Sequence, residues 1–203
     1  MHLAVASLKG GVGKTTTAIH LAAYFQQDKP TLLIDADRNR SALVWAKEDK
    51  LPFMVASQAG AVAIIARYTH VIIDMRGGPE EEEFVDLAKS NDLMIIPTTP
   101  NHLDLDATIK AVEILRKHQV SVNKYKVLLT KVDYRTVSSK TARYFLEENK
   151  IPLFKTEIPL LVAFERAAQH GKTVKDYSDE GAKKGWQKYA QLGKEILGKR
   201  GNS

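Results

Sequence analysis

Residues 9–16 read Lys9-Gly10-Gly11-Val12-Gly13-Lys14-Thr15-Thr16. The stretch directly follows an apolar run, His2 to Ser7, and directly precedes a helical pattern. A phosphate-binding loop sits in such a place, at the carboxyl end of a strand and opening a helix. The glycines let the backbone turn tightly and bring N–H groups to phosphate oxygens. In that reading Lys14 offers a positive charge to β- and γ-phosphates, and Thr15 offers a hydroxyl to Mg²⁺. The match to the pattern G-x-x-x-x-G-K-[ST] is imperfect. Its first glycine would fall at Leu8, the glycines stand instead at Gly10, Gly11 and Gly13, and a second lysine, Lys9, opens the loop.

Outward from the loop, apolar runs alternate with helical patterns, which predicts a mostly parallel twisted sheet flanked by helices. The expected strands are His2 to Ser7, Thr31 to Ile34, Phe53 to Ala56, His70 to Ile73, Leu93 to Ile96 and Tyr125 to Leu129. Ala18, Leu21, Ala22 and Phe25 recur at helical spacing behind the loop and form a core-facing stripe. Further helices fit Ser41 to Glu48, Ala59 to Tyr68, a segment opening at Pro79 and Glu80 to Glu83, the run through Leu105, Ile109 and Val112, Ser138 to Glu148, Leu161 to His170, and Asp179 to Leu197. Pro97-Thr98-Thr99-Pro100 reads as an ordered loop. No repeat or linker interrupts residues 1–203, so one domain is expected. Ser7, Asp37, Asp74 and Pro97 are expected to end strands on one sheet edge, where ligands of open parallel sheets lie. There Asp35 and Asp37 can hold Mg²⁺ through water or orient an attacking water, or one of them caps the next helix.

The 203 residues suffice for a full α/β core. With no cysteine, disulfides, thiol catalysis and cysteine-ligated clusters are excluded. No signal peptide or membrane-length apolar stretch is read, so a cytoplasmic setting is expected. The net charge is +6. Part of the excess lies in residues 166–200: Arg166, Lys172, Lys175, Lys183, Lys184, Lys188, Lys194, Lys199 and Arg200 stand against Asp176, Asp179, Glu180 and Glu195. Such a surface fits a polyanion, either nucleic acid or an anionic membrane, or serves solubility alone.

The loop's departures from the common pattern resemble, position by position, the deviant Walker A motif of the ParA/MinD group of ATPases. That resemblance implies a P-loop NTPase fold, ATP and Mg²⁺ as ligands, and contacts to the nucleotide from residues 9–16. Lys9 would be the signature lysine, reaching the partner subunit's phosphates in an ATP-bound sandwich dimer. Lys9, Lys14 and Asp37 would be the catalytic set, with Asp37 positioning the hydrolytic water in switch I. Thr15, Asp35, Asp37 and Asp74 would serve the metal. Asp74 resembles the Walker B carboxylate, with Met75-Arg76-Gly77-Gly78-Pro79 as switch II, and Arg76 has no assigned role. Pro97 to Asp104 resembles the proline stretch of ParF-like plasmid-partition ATPases, which places Pro100 near the adenine. Thr130 and Lys131 would pack the base. Ile158-Pro159 and the run Arg166 to Lys172 follow in the same order, so nearly the whole chain is covered.

The match is to short ParA proteins, including McdA-type carboxysome-positioning ATPases, and no helix-turn-helix extension is read ahead of the first strand. The implied cycle is an ATP-dependent homodimer on nonspecific DNA of the nucleoid, released when a ParB-like or McdB-like cargo adaptor stimulates hydrolysis. Arg166, Lys172, Lys183 and Lys184 are the candidate DNA contacts. Two rivals are a MinD-like membrane-associated ATPase and a dethiobiotin-synthetase-like ligase. Trp186, Tyr189, Ala190, Gly193 and Leu197 line one helix face, as either a membrane helix or a core-packed helix requires. Lys9 argues against the ligase.

Overall fold

The computed structural model describes residues 1–198; Lys199 and Arg200 of the basic C-terminal half lie outside them. Six strands form one parallel sheet: β1 (His2–Ser7), β2 (Thr31–Ala36), β3 (Met54–Ser57), β4 (His70–Gly77), β5 (Leu93–Thr98) and β6 (Tyr125–Leu129). Their spatial order is β3-β2-β4-β1-β5-β6. From β1 the chain steps to one side of the sheet and later returns to the other, so the reversal falls beside β1. The crevice at such a reversal is the ligand position of open α/β sheets, and it is where residues 9–16 emerge.

Alternation along β1 assigns the two faces. Leu3 and Val5 join a core with helix α1 (Lys14–Phe25) and helix α8 (Glu180–Gly198). Ala4 and Ala6 face the opposite core, under α4 (Glu81–Ser90), α5 (His102–Lys117) and α6 (Val137–Glu148). Helix α1 is buried almost all round instead of along one stripe. The cause is α8, which lies over its outer side with Tyr189, Leu192 and Ile196 inward. The Tyr189 hydroxyl sits 3.2 Å from Thr17 Oγ1, and a Cβ added at Gly193 would overlap the Tyr24 ring. Tyr189 and Gly193 therefore serve packing within the fold, which is the core alternative for that stripe. Among the described residues no helix is long and apolar enough to cross a membrane.

Several boundaries differ from expectation. The helix expected over Ser41 to Glu48 divides into α2 (Ser41–Trp45) and a 3-10 turn at Ala46–Glu48. The one expected over Ala59 to Tyr68 is only α3 (Gln58–Val62) and a 3-10 turn at Ile65–Arg67, with Ser57 capping the Gly60 N–H at 3.2 Å. Helix α7 spans Val162–Gln169. Pro97 and Thr98 belong to β5, where a loop was expected. Pairing of β5 with β1 ends at Ile95, so beyond it the missing Pro97 N–H breaks no ladder on that side. Asp74 does not end its strand. A register shift in β1 between Val5 and Ser7 pairs Ser7 with Gly77, which carries β4 three residues further.

Candidate functional site

The loop from Leu8 to Gly13 wraps the amino end of α1. Gly13, the residue before the helix, has φ +88°, a left-handed geometry open to glycine at little cost. The amino end of α1 thus opens into a cleft of about 680 Å³, walled by the loop, Thr15, Thr16, Asp37, Asn39, Trp45, Gly77, Gly78 and Lys131 among others. A helix amino end exposes N–H groups and a partial positive charge, which suits phosphate.

Lys14 is buried, and its Nζ donates to the Lys9 carbonyl at 2.9 Å. Burial lowers its pKa, while the charges of Asp74 and Asp37 oppose that shift. Asp74 is fully buried, and neither carboxylate oxygen completes a well-formed hydrogen bond. Burial pushes its carboxyl up to about 7, against the lowering effect of the nearby Thr15 hydroxyl. An orphaned buried carboxylate beside a threonine hydroxyl fits a hard divalent cation, which takes oxygen ligands. Among the described residues no three His, Cys, Asp or Glu side chains are grouped to hold a metal unaided.

Asp35 is buried and uses both oxygens on backbone: Oδ1 accepts from Asp37 N at 3.0 Å and Oδ2 from Leu43 N at 2.9 Å. Its visible work is to fix the chain around Asp37. Asp37 is half-buried on the cleft wall and accepts the Asn39 N–H at 2.9 Å. Lys9 is half-buried, and its N–H donates to Ser7 Oγ at 3.2 Å.

Thr130 acts as a buttress. Its buried hydroxyl lies 2.7 Å from the Val12 carbonyl and 3.0 Å from that of Thr98, tying the loop to β5 and β6. Lys131 is exposed and borders both the cleft and an apolar groove of about 190 Å³. Ile158, Pro159, Leu161 and Phe164 line that groove beside Gly13 and Thr16. Pro100 is buried and does not line it; it borders a separate depression with Gly11, Asn101 and Lys131.

The basic candidates sit on the α7–α8 side. Lys183 and Lys184 are exposed on α8. Arg166 is exposed but lies 3.8 Å from the Asp179 carboxylate, which reduces its free charge. Lys172 is half-buried, and its carbonyl accepts the Trp45 indole N–H at 2.9 Å. Trp45 was not singled out in the sequence; an aromatic residue soon after Asp37 was the available signal. The acidic run Glu80 to Glu83, which opens α4, is partly engaged. Glu81 pairs with Lys117 and His118 at 2.8 Å each, and Glu83 with Arg76 at 2.8 Å.

Comparison with known proteins agrees with this geometry. Residues 3–174 match the CobQ/CobB/MinD/ParA nucleotide binding domain. A maintenance of carboxysome distribution protein A from Gloeobacter kilaueensis is 32% identical over 202 residues, covering 96% of this chain and 93% of that one. Protein virC1 of Rhizobium radiobacter is 30% identical over 138 residues, 60% of this chain and 58% of its own. Among solved structures, a Cyanothece McdA variant in complex with ATP superposes with TM-score 0.76 at 16% identity, covering 97% of this chain and 96% of that one. MinD of Aquifex aeolicus gives TM-score 0.76 at 18% identity, over 97% and 96%. At such identities these two structures speak for the fold, and the matched residues 3–174 speak for the family: the chain belongs to the CobQ/CobB/MinD/ParA nucleotide-binding domain family, with the parallel P-loop architecture of its ParA/MinD members.

Proposed function

We propose that the chain is a Mg²⁺-dependent ATPase of the ParA kind that positions or partitions a cargo by cycling on and off DNA. The observation that carries the hydrolytic part is Asp74, a buried carboxylate without a well-formed hydrogen bond, set behind the Lys14 and Thr15 wall of the cleft. Lys14 gives up the Lys9 carbonyl for β- and γ-phosphate oxygens, a stronger, charge-assisted acceptor. Thr15 and Asp74 would hold the metal, with Asp35 fixing the Asp37 loop. A divalent cation there would neutralise charge on the β- and γ-phosphates. Asp37 orients the water that attacks the γ-phosphorus. The bond to the β–γ bridging oxygen breaks, and ADP and phosphate leave. Lys9 reaches the phosphates of a second copy. The apolar groove of Ile158, Pro159 and Phe164 takes the adenine, with Lys131 at its edge and Pro100 further out.

In the DNA-bound state Lys172, Lys183, Lys184 and Arg166 face the phosphate backbone, in a nucleoid-associated, cytoplasmic protein. Such contact needs charge and not base reading, with nonspecific dissociation constants of ~10⁻⁴ to 10⁻⁶ M and steep salt dependence. Similarity to a carboxysome distribution protein over 96% of the chain supports the positioning role; a McdB-like or ParB-like adaptor would stimulate hydrolysis. The membrane-associated MinD-like reading loses support because Tyr189 and Gly193 of the α8 stripe are packed against α1.

The deciding experiment is DNA retention with no nucleotide, ADP or ATP, beside Asp37→Ala held with ATP. Binding that needs ATP, persists in Asp37→Ala and fades with salt is the expected result. No retention in any state would remove the DNA-based reading. In the same assay Lys183→Glu/Lys184→Glu is expected to lose DNA while still binding ATP. Unchanged retention would remove those two contacts from the surface.

A further inference from the structure

Gly77 and Gly78 wall the cleft beside Lys14. They lie in the segment from the end of β4 to α4, and Arg76 fastens that segment twice. Its Nη2 lies 2.8 Å from Glu83 Oε2 in the first turn of α4, and its Nη1 donates to the Gly78 carbonyl at 3.3 Å. Gly78 itself has φ +63° and donates its N–H to the Ser7 carbonyl at 3.2 Å. A Cβ added at Gly77 would come within 3.3 Å of Gly10 and of Lys14 Nζ. The backbone of residue 77 thus lies directly against the phosphate loop. Two successive glycines lose much conformational freedom when held so, and they drift when released.

We propose that Arg76 is a positioning residue for the hydrolysis proposed above, a role that rests on that reading. Its planar fork spans Glu83 and the Gly78 carbonyl, and so sets Gly77 and Gly78 against Gly10 and Lys14 before nucleotide arrives. Arg76 does not line the cleft and acts through the two glycines. A lysine places one compact ammonium and cannot reproduce the fork. The Arg76–Glu83 pair is partly exposed, so its strength comes from joining two anchors and not from a single ion pair.

The test uses the full chain with Arg76→Ala, Arg76→Lys and Glu83→Gln. Amide hydrogen exchange of residues 76–83 is followed without nucleotide, and kcat and KM for ATP are measured alongside. In Arg76→Ala, exchange at this segment is expected to rise by about tenfold. kcat is expected to fall by about tenfold while KM stays within about twofold, because the phosphate loop is intact. Arg76→Lys is expected to fall between it and the wild type. Glu83→Gln, which keeps an acceptor and the Gly78 contact, gives a smaller change of the same sign and covers the case in which Arg76→Ala folds poorly. Wild-type turnover with exchange and kcat unchanged in the variants overturns the positioning role. So does a rise in KM at constant kcat. A wild type without turnover, whose Arg76→Ala still exchanges faster, overturns the ATPase reading and the hydrolytic role of Arg76 with it.

Discussion

Lys14→Ala is expected to lower kcat for ATP by about 10²–10³, the usual cost of removing one preorganised donor from a developing negative charge. The lysine is already held where it is needed. Its ammonium is buried, turned onto the Lys9 carbonyl at 2.9 Å, and close enough to Asp74 and Asp37 for both to support its charge. No other lysine of the loop substitutes for it in cis, because Lys9 precedes the glycines at the far end of the turn. The effect on folding should be small, within about 1 kcal/mol, since Lys14 lines the open cleft and its one hydrogen bond goes to a loop carbonyl. Asp74 adjusts as well. Without the neighbouring ammonium its carboxyl moves further up and takes a proton, which avoids leaving a bare buried charge. The check is steady-state turnover together with thermal unfolding. Turnover within a few-fold of wild type would take Lys14 out of the catalytic set. A large loss of Tm would mean that the residue holds the loop together instead.

The candidate phosphate loop was legible in its place between β1 and α1 because that place depends on local order: glycines, a lysine and a threonine between a strand and a helix. The parallel sheet was legible for a similar reason, since strands covered on both faces become continuous apolar runs such as Leu32-Leu33-Ile34 and Met94-Ile95-Ile96. What escaped depends on distant chain. The extension of β4 past Asp74 follows from the register of its neighbour β1, which β4 does not encode. The role of Thr130 as a buttress needs Val12, 118 residues away. The basic half looks stronger in sequence than in space, because Asp179 faces Arg166 across a turn that composition ignores. Arg76 had no reading until Glu83 appeared beside it. His20 was passed over because a polar residue inside a helical pattern reads as surface, whereas here it is wholly buried.

That histidine gives the second large effect, a loss of about 3 kcal/mol of stability as pH falls from 6.5 to 4. His20 stacks on Tyr189 with ring centroids 4.8 Å apart, and meets Trp45 and Phe164 edge-on. Its Nε2 lies 3.1 Å from the Val174 backbone N–H, so that nitrogen must accept. Nδ1 then carries the proton and donates to the Thr16 carbonyl at 2.7 Å. The tautomer follows from this network. A second proton would put two N–H groups face to face at Val174, in a fully buried site. Burial accordingly pushes the folded-state pKa from 6.5 down to about 4, although the Thr16 carbonyl and the charge of Asp176 favour the cation. The folded chain therefore binds fewer protons at this site than the unfolded chain, and stability rises with pH. The contribution is complete above the unfolded value of 6.5, declines through the window, and is gone below about 4. His20→Gln isolates it. That variant should be less stable at pH 7, having lost ring packing, yet the gap to wild type should close as the pH approaches 4. Carboxylate titrations are common to both chains and cancel in the difference. A gap that stays constant from pH 7 to 4, read by denaturant unfolding, would mean that His20 opens to solvent and titrates normally. Because the ring joins the helix behind the phosphate loop to the segment that leads into α8, its protonation should loosen the basic C-terminal helix before the sheet unfolds.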